Sequence, residues 1–243
     1  APLVRSHAFR QVVHPMLAKW YTSKDVLSGM PQFSAALEGR PTTTREILLF
    51  TIKLADNILK YYINEFGDDK TTYAVVSAEE LWWRVLSEAE AVVYVAKPDL
   101  VLKRQVDDMI VVADHKLSSY DIGMDLLPFD RQFLGGAWLT GATSMLKNFI
   151  KVGMGADGVA LKITRLEQRV EHDLMVEWLK ETVVLARRLR QSIIDDVWLK
   201  AAPSACRAFN RPCQFIELCG MGDGRTHAVS LLDKVNPLEY LGL

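Results

Sequence analysis

Two aspartates and a lysine carry the most legible chemistry in this sequence. Pro98-Asp99 lies in an apolar, β-branched stretch, and Asp114-His115-Lys116 closes the next one. Fourteen residues separate the aspartates, enough for two strands joined by a turn. Such a pair could bring both carboxylates to one end of a sheet. Converging carboxylates offer hard oxygen ligands that suit Mg²⁺ or Mn²⁺. Side chains two apart on a strand share a face, so Asp114 and Lys116 point together while His115 turns away. His115 then has its backbone carbonyl available as a further ligand. A divalent ion beside an ammonium is what phosphodiester hydrolysis requires: the ion polarises the phosphate and activates water, and the lysine orients that water or stabilises developing charge.

Other motifs carry less. Gly153-Met154-Gly155-Ala156-Asp157-Gly158 matches the dinucleotide-binding glycine pattern, but a helix precedes it and a β-like stretch follows, the reverse of what that fingerprint needs. Arg187, Arg188 and Arg190, with Lys180 before them, crowd one helix and could form a phosphate-contacting wall. Trp82 and Trp83 cannot share a face, so one of them could stack an unpaired base. Cys206, Cys213 and Cys219 cluster near the end of the sequence, an odd set that fits a reducing compartment and a metal or cluster site better than a disulfide framework.

The elements that must position these groups follow from periodicity. Residues 5–22 have helical spacing and 23–43 read as loop. A capped helix runs from about Thr44 to Phe66, ended by Gly67-Asp68-Asp69. Thr72–Ser77, Val92–Leu102 and Met109–Lys116 read as strands, the last two as a hairpin turning at Arg104–Asp108. Pro128 opens a helix whose apolar content runs from Phe129 through Leu146. Gly153–Gly158 reads as loop, Val159–Thr164 as strand, and Glu171 to about Leu199 as a long helix. Helices alternating with strands predict a single α/β domain over 1–243 with a mixed central sheet. It has an N-terminal helical region, about 1–66, and a cysteine-containing tail, about 203–243.

Composition sets outer bounds. The 243 residues are 49% hydrophobic and 24% charged, sufficient for a core. With 29 basic and 30 acidic residues the chain is no polycation, so contact with nucleic acid needs a local basic groove. No apolar run approaches a membrane span and no secretion signal opens the sequence, so a cytoplasmic location is expected, the host cytoplasm for a viral protein.

Pro98-Asp99 with Asp114-His115-Lys116 resembles the signature of the PD-(D/E)XK nuclease superfamily. Lys116-Leu117-Ser118-Ser119 is similar to the D-Y-K-T-S stretch of its RecB-type exonuclease branch, which includes CRISPR-associated and phage-encoded exonucleases. The resemblance covers roughly residues 70 to 220. It implies a restriction-endonuclease-like core and a Mg²⁺- or Mn²⁺-dependent deoxyribonuclease, with DNA, single-stranded or at its ends, as partner. Asp99, Asp114 and the His115 carbonyl would hold the ion, with Glu79 or Glu80 as an extra acid. Lys116 would position water, and Gln132, on the following helix, would support it. The cysteine tail resembles one that carries a [4Fe–4S] cluster, although a cluster needs four ligands and the C-x2-C of that tail is missing; His7 or His14 could substitute for the fourth cysteine. The branch also carries a metal-binding histidine on the helix before the first strand, and Thr44–Phe66 contains none. An inactive nuclease-fold scaffold and a structure-specific endonuclease are the alternative readings.

Overall fold

The structure, a computed structural model, describes residues 7–23, 42–118, 130–155, 158–195 and 197. Residues 24–41 of the loop expected over 23–43, Pro128 and Phe129 at the expected helix start, Trp198 and the whole cysteine tail lie outside the described residues, while Thr42 and Thr43, also expected in that loop, are helical. The chain divides into two units, Ala1–Ala186 and Arg187–Leu243. The first holds the sheet and the helices that pack on it. Of the second, the described part is the end of one helix.

Two helices open the first unit, α1 (His7–Thr22) and α2 (Thr42–Phe66), and a single turn, α3 (Asp69–Thr72), leads into the strands. α2 buries Thr51, Leu54, Ala55, Ile58, Leu59 and Tyr62, the i, i+3, i+4 recurrence of one helical face. α1 does the same with Val13, Leu17 and Trp20. Both faces lie on one side of the sheet, against Leu100, Leu102, Val111, Ala113 and Ile150.

The main sheet has five strands: β1 (Tyr73–Ala78), β4 (Leu100–Arg104), β5 (Ile110–Ser118), β6 (Ser144–Gly155) and β7 (Gly158–Arg169), in the spatial order β1-β4-β5-β6-β7. β5 and β6 are parallel and the other pairs antiparallel, so the sheet is mixed as expected. The parallel step needs a crossover, and α4 (Arg131–Thr140) supplies it. α4 covers the opposite face of the sheet, packing Phe133 and Ala137 on Val112 and Met145. The long helix α5 (His172–Asp195) ends the described chain.

Several expected boundaries move. Val92–Leu102 is two strands, not one: β3 (Val92–Ala96) pairs with an unexpected β2 (Trp82–Ser87) in a separate two-stranded sheet, and β4 joins the main sheet. The break falls at Lys97-Pro98-Asp99, where proline has no N–H for a ladder. The expected hairpin and its turn hold for β4 and β5, with Arg104 donating to both carboxylate oxygens of Asp107. The helix after Pro128 stops at Thr140, because Gly141 adopts φ +72° and its N–H closes on the Ala137 carbonyl. Met145 and Leu146 therefore belong to β6. Gly153–Gly158 is mostly strand, since Gly155 pairs with Gly158 across the β6–β7 connection. This removes any nucleotide-binding geometry from the glycine motif.

The β2–β3 hairpin stands on α4 and α5. Tyr94 packs edge-on against Trp138 and Trp178, and Arg84 lies over Trp138. Trp82 turns inward and donates to the Ser77 hydroxyl, whereas Trp83 is exposed. No helix among the described residues is long and apolar enough to cross a membrane.

Candidate metal and catalytic site

Strand register brings the two aspartates together. The β4–β5 ladder ends at Leu100↔Ala113, so one further step sets Asp99 opposite Asp114. Both line a cleft of about 90 Å³ together with Lys97, Gln132, Phe133 and Gly136. A cavity of about 580 Å³ along β1 is larger but contains none of the carboxylates or the lysine just described. Chemistry rather than volume marks the site.

Asp114, Lys116 and Gln132 form a triangle. Lys116 Nζ donates to Asp114 Oδ1 and to Gln132 Oε1, both at 2.8 Å, and Gln132 Nε2 donates to Asp114 Oδ1 at 2.9 Å. Gln132 reaches them because Asp130 caps α4, accepting from the Gln132 N–H, and is itself held by Lys147 at 2.6 Å. Asp114 Oδ2 is buried with no protein partner.

Asp99 is anchored from the other side. Its Oδ2 accepts the His115 N–H at 2.7 Å, and its Oδ1 lies 3.2 Å from His14 Nδ1 on α1. Glu79 follows β1 with φ +53°, a left-handed conformation uncommon for a residue with a side chain. Its N–H donates to the Asp99 carbonyl, and Lys97 pairs with its Oε2 at 2.7 Å. Its Oε1 is buried without a hydrogen-bond partner, 3.9 Å from His14 Nδ1. Ligand atoms of His14, Glu79 and Asp99 all lie within 4.8 Å of one another.

Electrostatics separates the two aspartates. Burial opposes ionisation of Asp99, but hydrogen bonds from His115 and His14 and their charge outweigh it and hold Asp99 well below the usual carboxylate range. For Asp114, burial and then the neighbouring Asp99 charge raise the pKa, and Lys116 pulls it only partly back. His14 loses to burial but gains more from Asp99, Glu79 and Asp114, so its pKa is raised. A cation placed here would relieve these strains. Two buried, orphaned carboxylate oxygens beside a histidine and an ionised aspartate suit a divalent metal with oxygen and imidazole donors.

The structure thus brings Asp99, Asp114, His115, Lys116 and Gln132 together. Of the two acids kept open, Glu79 joins them, and Glu80 is exposed along the β1 cavity. Sequence reasoning sought the histidine in Thr44–Phe66 and considered His14, one helix earlier, only as a stand-in cluster ligand. Spacing carried no signal for it, because 85 residues separate it from Asp99. Arg187, Arg188 and Arg190 are exposed on the last turns of α5, in the second unit. Cys206, Cys213 and Cys219 lie outside the described residues.

No protein-family model matches the chain, and no curated protein matches it. Among solved structures it is similar to the protein SSO0001, with 16% identity, a TM-score of 0.34, and 73% of this chain and 74% of that one covered. It is also similar to a candidate exonuclease from Eubacterium rectale, with 10% identity, a TM-score of 0.43, and 97% of this chain and 80% of that one covered.

Proposed function

We propose that this chain is a Mg²⁺- or Mn²⁺-dependent deoxyribonuclease of the PD-(D/E)XK type, an exonuclease of the RecB-type branch. The observation that carries the reading is the meeting of Asp99 and Asp114 in one cleft, with Lys116 and Gln132 bonded to Asp114 and a carboxylate oxygen left orphaned. His14, Glu79, Asp99 and Asp114 would hold the ion, with the His115 carbonyl as a further donor. When bound, the ion supplies polarisation of the scissile phosphate and activation of water.

The chain's own residues do the rest. Asp99, kept ionised by His115 and His14, contributes a fixed negative charge. Asp114 is oriented by Lys116 and Gln132, which both bond its Oδ1 and leave Oδ2 without a hydrogen-bond partner. Lys116, one-third exposed, is placed to orient water and to stabilise charge on the phosphate as the bond breaks. The absence of a histidine from Thr44–Phe66 had favoured an inactive scaffold. His14 supplies that donor type from α1, which favours the active reading.

Incubation with Mn²⁺ and either linear or circular DNA tests this. An exonuclease degrades the linear form and spares the circle, an endonuclease nicks the circle, and a scaffold leaves both intact. A [4Fe–4S] cluster on Cys206, Cys213 and Cys219 is part of the same proposal. Iron and visible charge-transfer absorption in protein purified without oxygen support it, and colourless, iron-free protein removes it.

A further inference from the structure

Lys97 stands in the break between β3 and β4, where Pro98 interrupts the ladder. Among the described residues that line the cleft of Asp99 and Asp114, it is the one cation. Its side chain is 52% exposed, against 33% for Lys116, which is tied to Asp114 and Gln132. Lys97 Nζ lies 2.7 Å from Glu79 Oε2. The other oxygen of that carboxylate, Oε1, is buried without a hydrogen-bond partner, 3.9 Å from His14 Nδ1. One carboxylate is thus divided between a solvated lysine and the donor set of His14 and Asp99.

An ion held by His14, Glu79 and Asp99 draws on the same carboxylate charge as Lys97, so the two cations compete for Glu79. Lysine is the weaker competitor. A half-exposed ion pair contributes little, because solvent screens it and the long side chain loses freedom in holding it. Glu79 does not depend on the pair for its place. Its N–H donates to the Asp99 carbonyl at 3.0 Å, which pins its left-handed backbone beside the cleft. Lys97 carries three donors on a flexible stem, a point charge suited to phosphate. Asp99 and Asp114 by themselves repel a phosphate. A lysine that leaves Glu79 as an ion neutralises the acids reaches the cleft when an anionic substrate needs it.

We propose that Lys97 is a latched phosphate ligand: Glu79 holds it in protein without a divalent ion, and ion binding at Glu79 turns it to a phosphate of the nucleic acid. Ion and nucleic acid then strengthen each other's binding, by the same factor in both directions. The proposal rests on the nuclease reading for its substrate, and its test is separable from that reading.

Calorimetric titration of the DNA-free protein with Mn²⁺ gives the first readout. Lys97→Ala removes the competitor, so affinity should hold or rise, by up to about fivefold for an exposed pair. A fall in affinity, as expected of a lysine that merely orients Glu79, overturns the latch. Anisotropy of a fluorescein-labelled single-stranded phosphorothioate oligonucleotide, which resists hydrolysis, gives the second, across a salt series. In saturating Mn²⁺, Lys97→Ala should weaken binding about three- to tenfold. It should also lower the magnitude of the slope of log K against log salt by about 0.7, one phosphate contact on a single strand. In EDTA the variant and the parent should share one slope. Lys97→Arg should keep the parental slope in both conditions. Lys60→Ala, which removes a lysine from the exposed pair with Asp56, should keep it too. Equal slopes in Mn²⁺, or the same fall in EDTA, overturn the latch. Cleavage of an unmodified oligonucleotide by the parent with Mn²⁺ reads the nuclease assignment separately. A parent that cleaves while the slopes stay equal loses the latch alone. One that does not cleave, yet shows the Mn²⁺-dependent slope difference, keeps the latch and loses the nuclease.

Discussion

His14 and Asp99, 85 residues apart, meet at 3.2 Å where α1 passes the end of the β4–β5 hairpin. Imidazole and carboxylate hold each other, and Glu79 stands beside both. His14→Ala should therefore weaken Mn²⁺ binding at least tenfold, since it removes a ligand, while the α1 core of Val13, Leu17 and Trp20 keeps the helix docked. Calorimetric titration checks the affinity and circular dichroism the fold. Unchanged affinity would take His14 out of the site.

The same pair predicts a pH dependence in metal-free protein. The folded pKa of His14 is raised above its unfolded value, mainly by Asp99 against the opposing effect of burial. Its contribution to stability is thus fully present below about pH 6.5, the unfolded value. It is lost as pH rises through the folded pKa. Denaturant unfolding of parent and His14→Gln should differ most in mildly acidic buffer and converge in alkaline buffer. A difference growing toward high pH would contradict the sign.

Gln132 bonds to Lys116 and to Asp114 Oδ1 and so positions both. Gln132→Ala should lower turnover by about ten- to a hundredfold, in the range seen when a supporting partner of a metal site is lost, with a smaller change in Mn²⁺ affinity. Comparing kcat with the calorimetric Kd separates the two effects. Equal loss in both would make Gln132 a metal ligand instead.

Much of this site was legible before the fold was known. The D-x-K strand, its turn and its partner hairpin came from apolar runs and a polar turn, which are local signals. The extent of β6 was not legible, because a buried strand and a buried helix are equally apolar; Gly141 and the parallel pairing with β5 decide it. The division at Pro98 was also hidden, since β3 and β4 look alike and differ only in which distant strand each pairs with. Glu79 was one of two acids kept open, and the left-handed turn after β1 decides between it and Glu80, whereas His14 enters through tertiary packing of α1, which has no sequence period.

Behind the site lies a buried polar network that sequence patterning did not reveal. Arg165 donates to both carboxylate oxygens of Asp69 at 2.7 Å and to the Tyr62 hydroxyl at 2.8 Å. Asn148 also donates to Tyr62, and Tyr62 lies 3.3 Å from His115 Nε2. Asp69→Ala leaves the guanidinium without its counter-charge and should cost about 3–5 kcal/mol, as breaking one side of a buried pair does. Urea denaturation measures it, and a loss below ~1 kcal/mol would mean that water replaces the carboxylate.

Gly135 tests how the β2–β3 hairpin is held. A Cβ there would run into the Tyr94 hydroxyl and stand 2.9 Å from the Trp178 ring. Gly135→Ala should cost about 1–3 kcal/mol through overpacking. Tryptophan fluorescence should shift as the Tyr94–Trp138–Trp178 cluster opens. An unshifted spectrum with parental stability would show that the cluster yields freely.

The most direct measurement is DNA cleavage by Asp114→Asn beside the parent, with Mn²⁺ and with EDTA. The substitution keeps the size of the side chain and removes the charge that Lys116 and the ion share. Metal-dependent cleavage by the parent, abolished by EDTA and reduced by orders of magnitude in the folded variant, is the predicted result. Cleavage by Asp114→Asn at the parental rate would contradict the account at its centre.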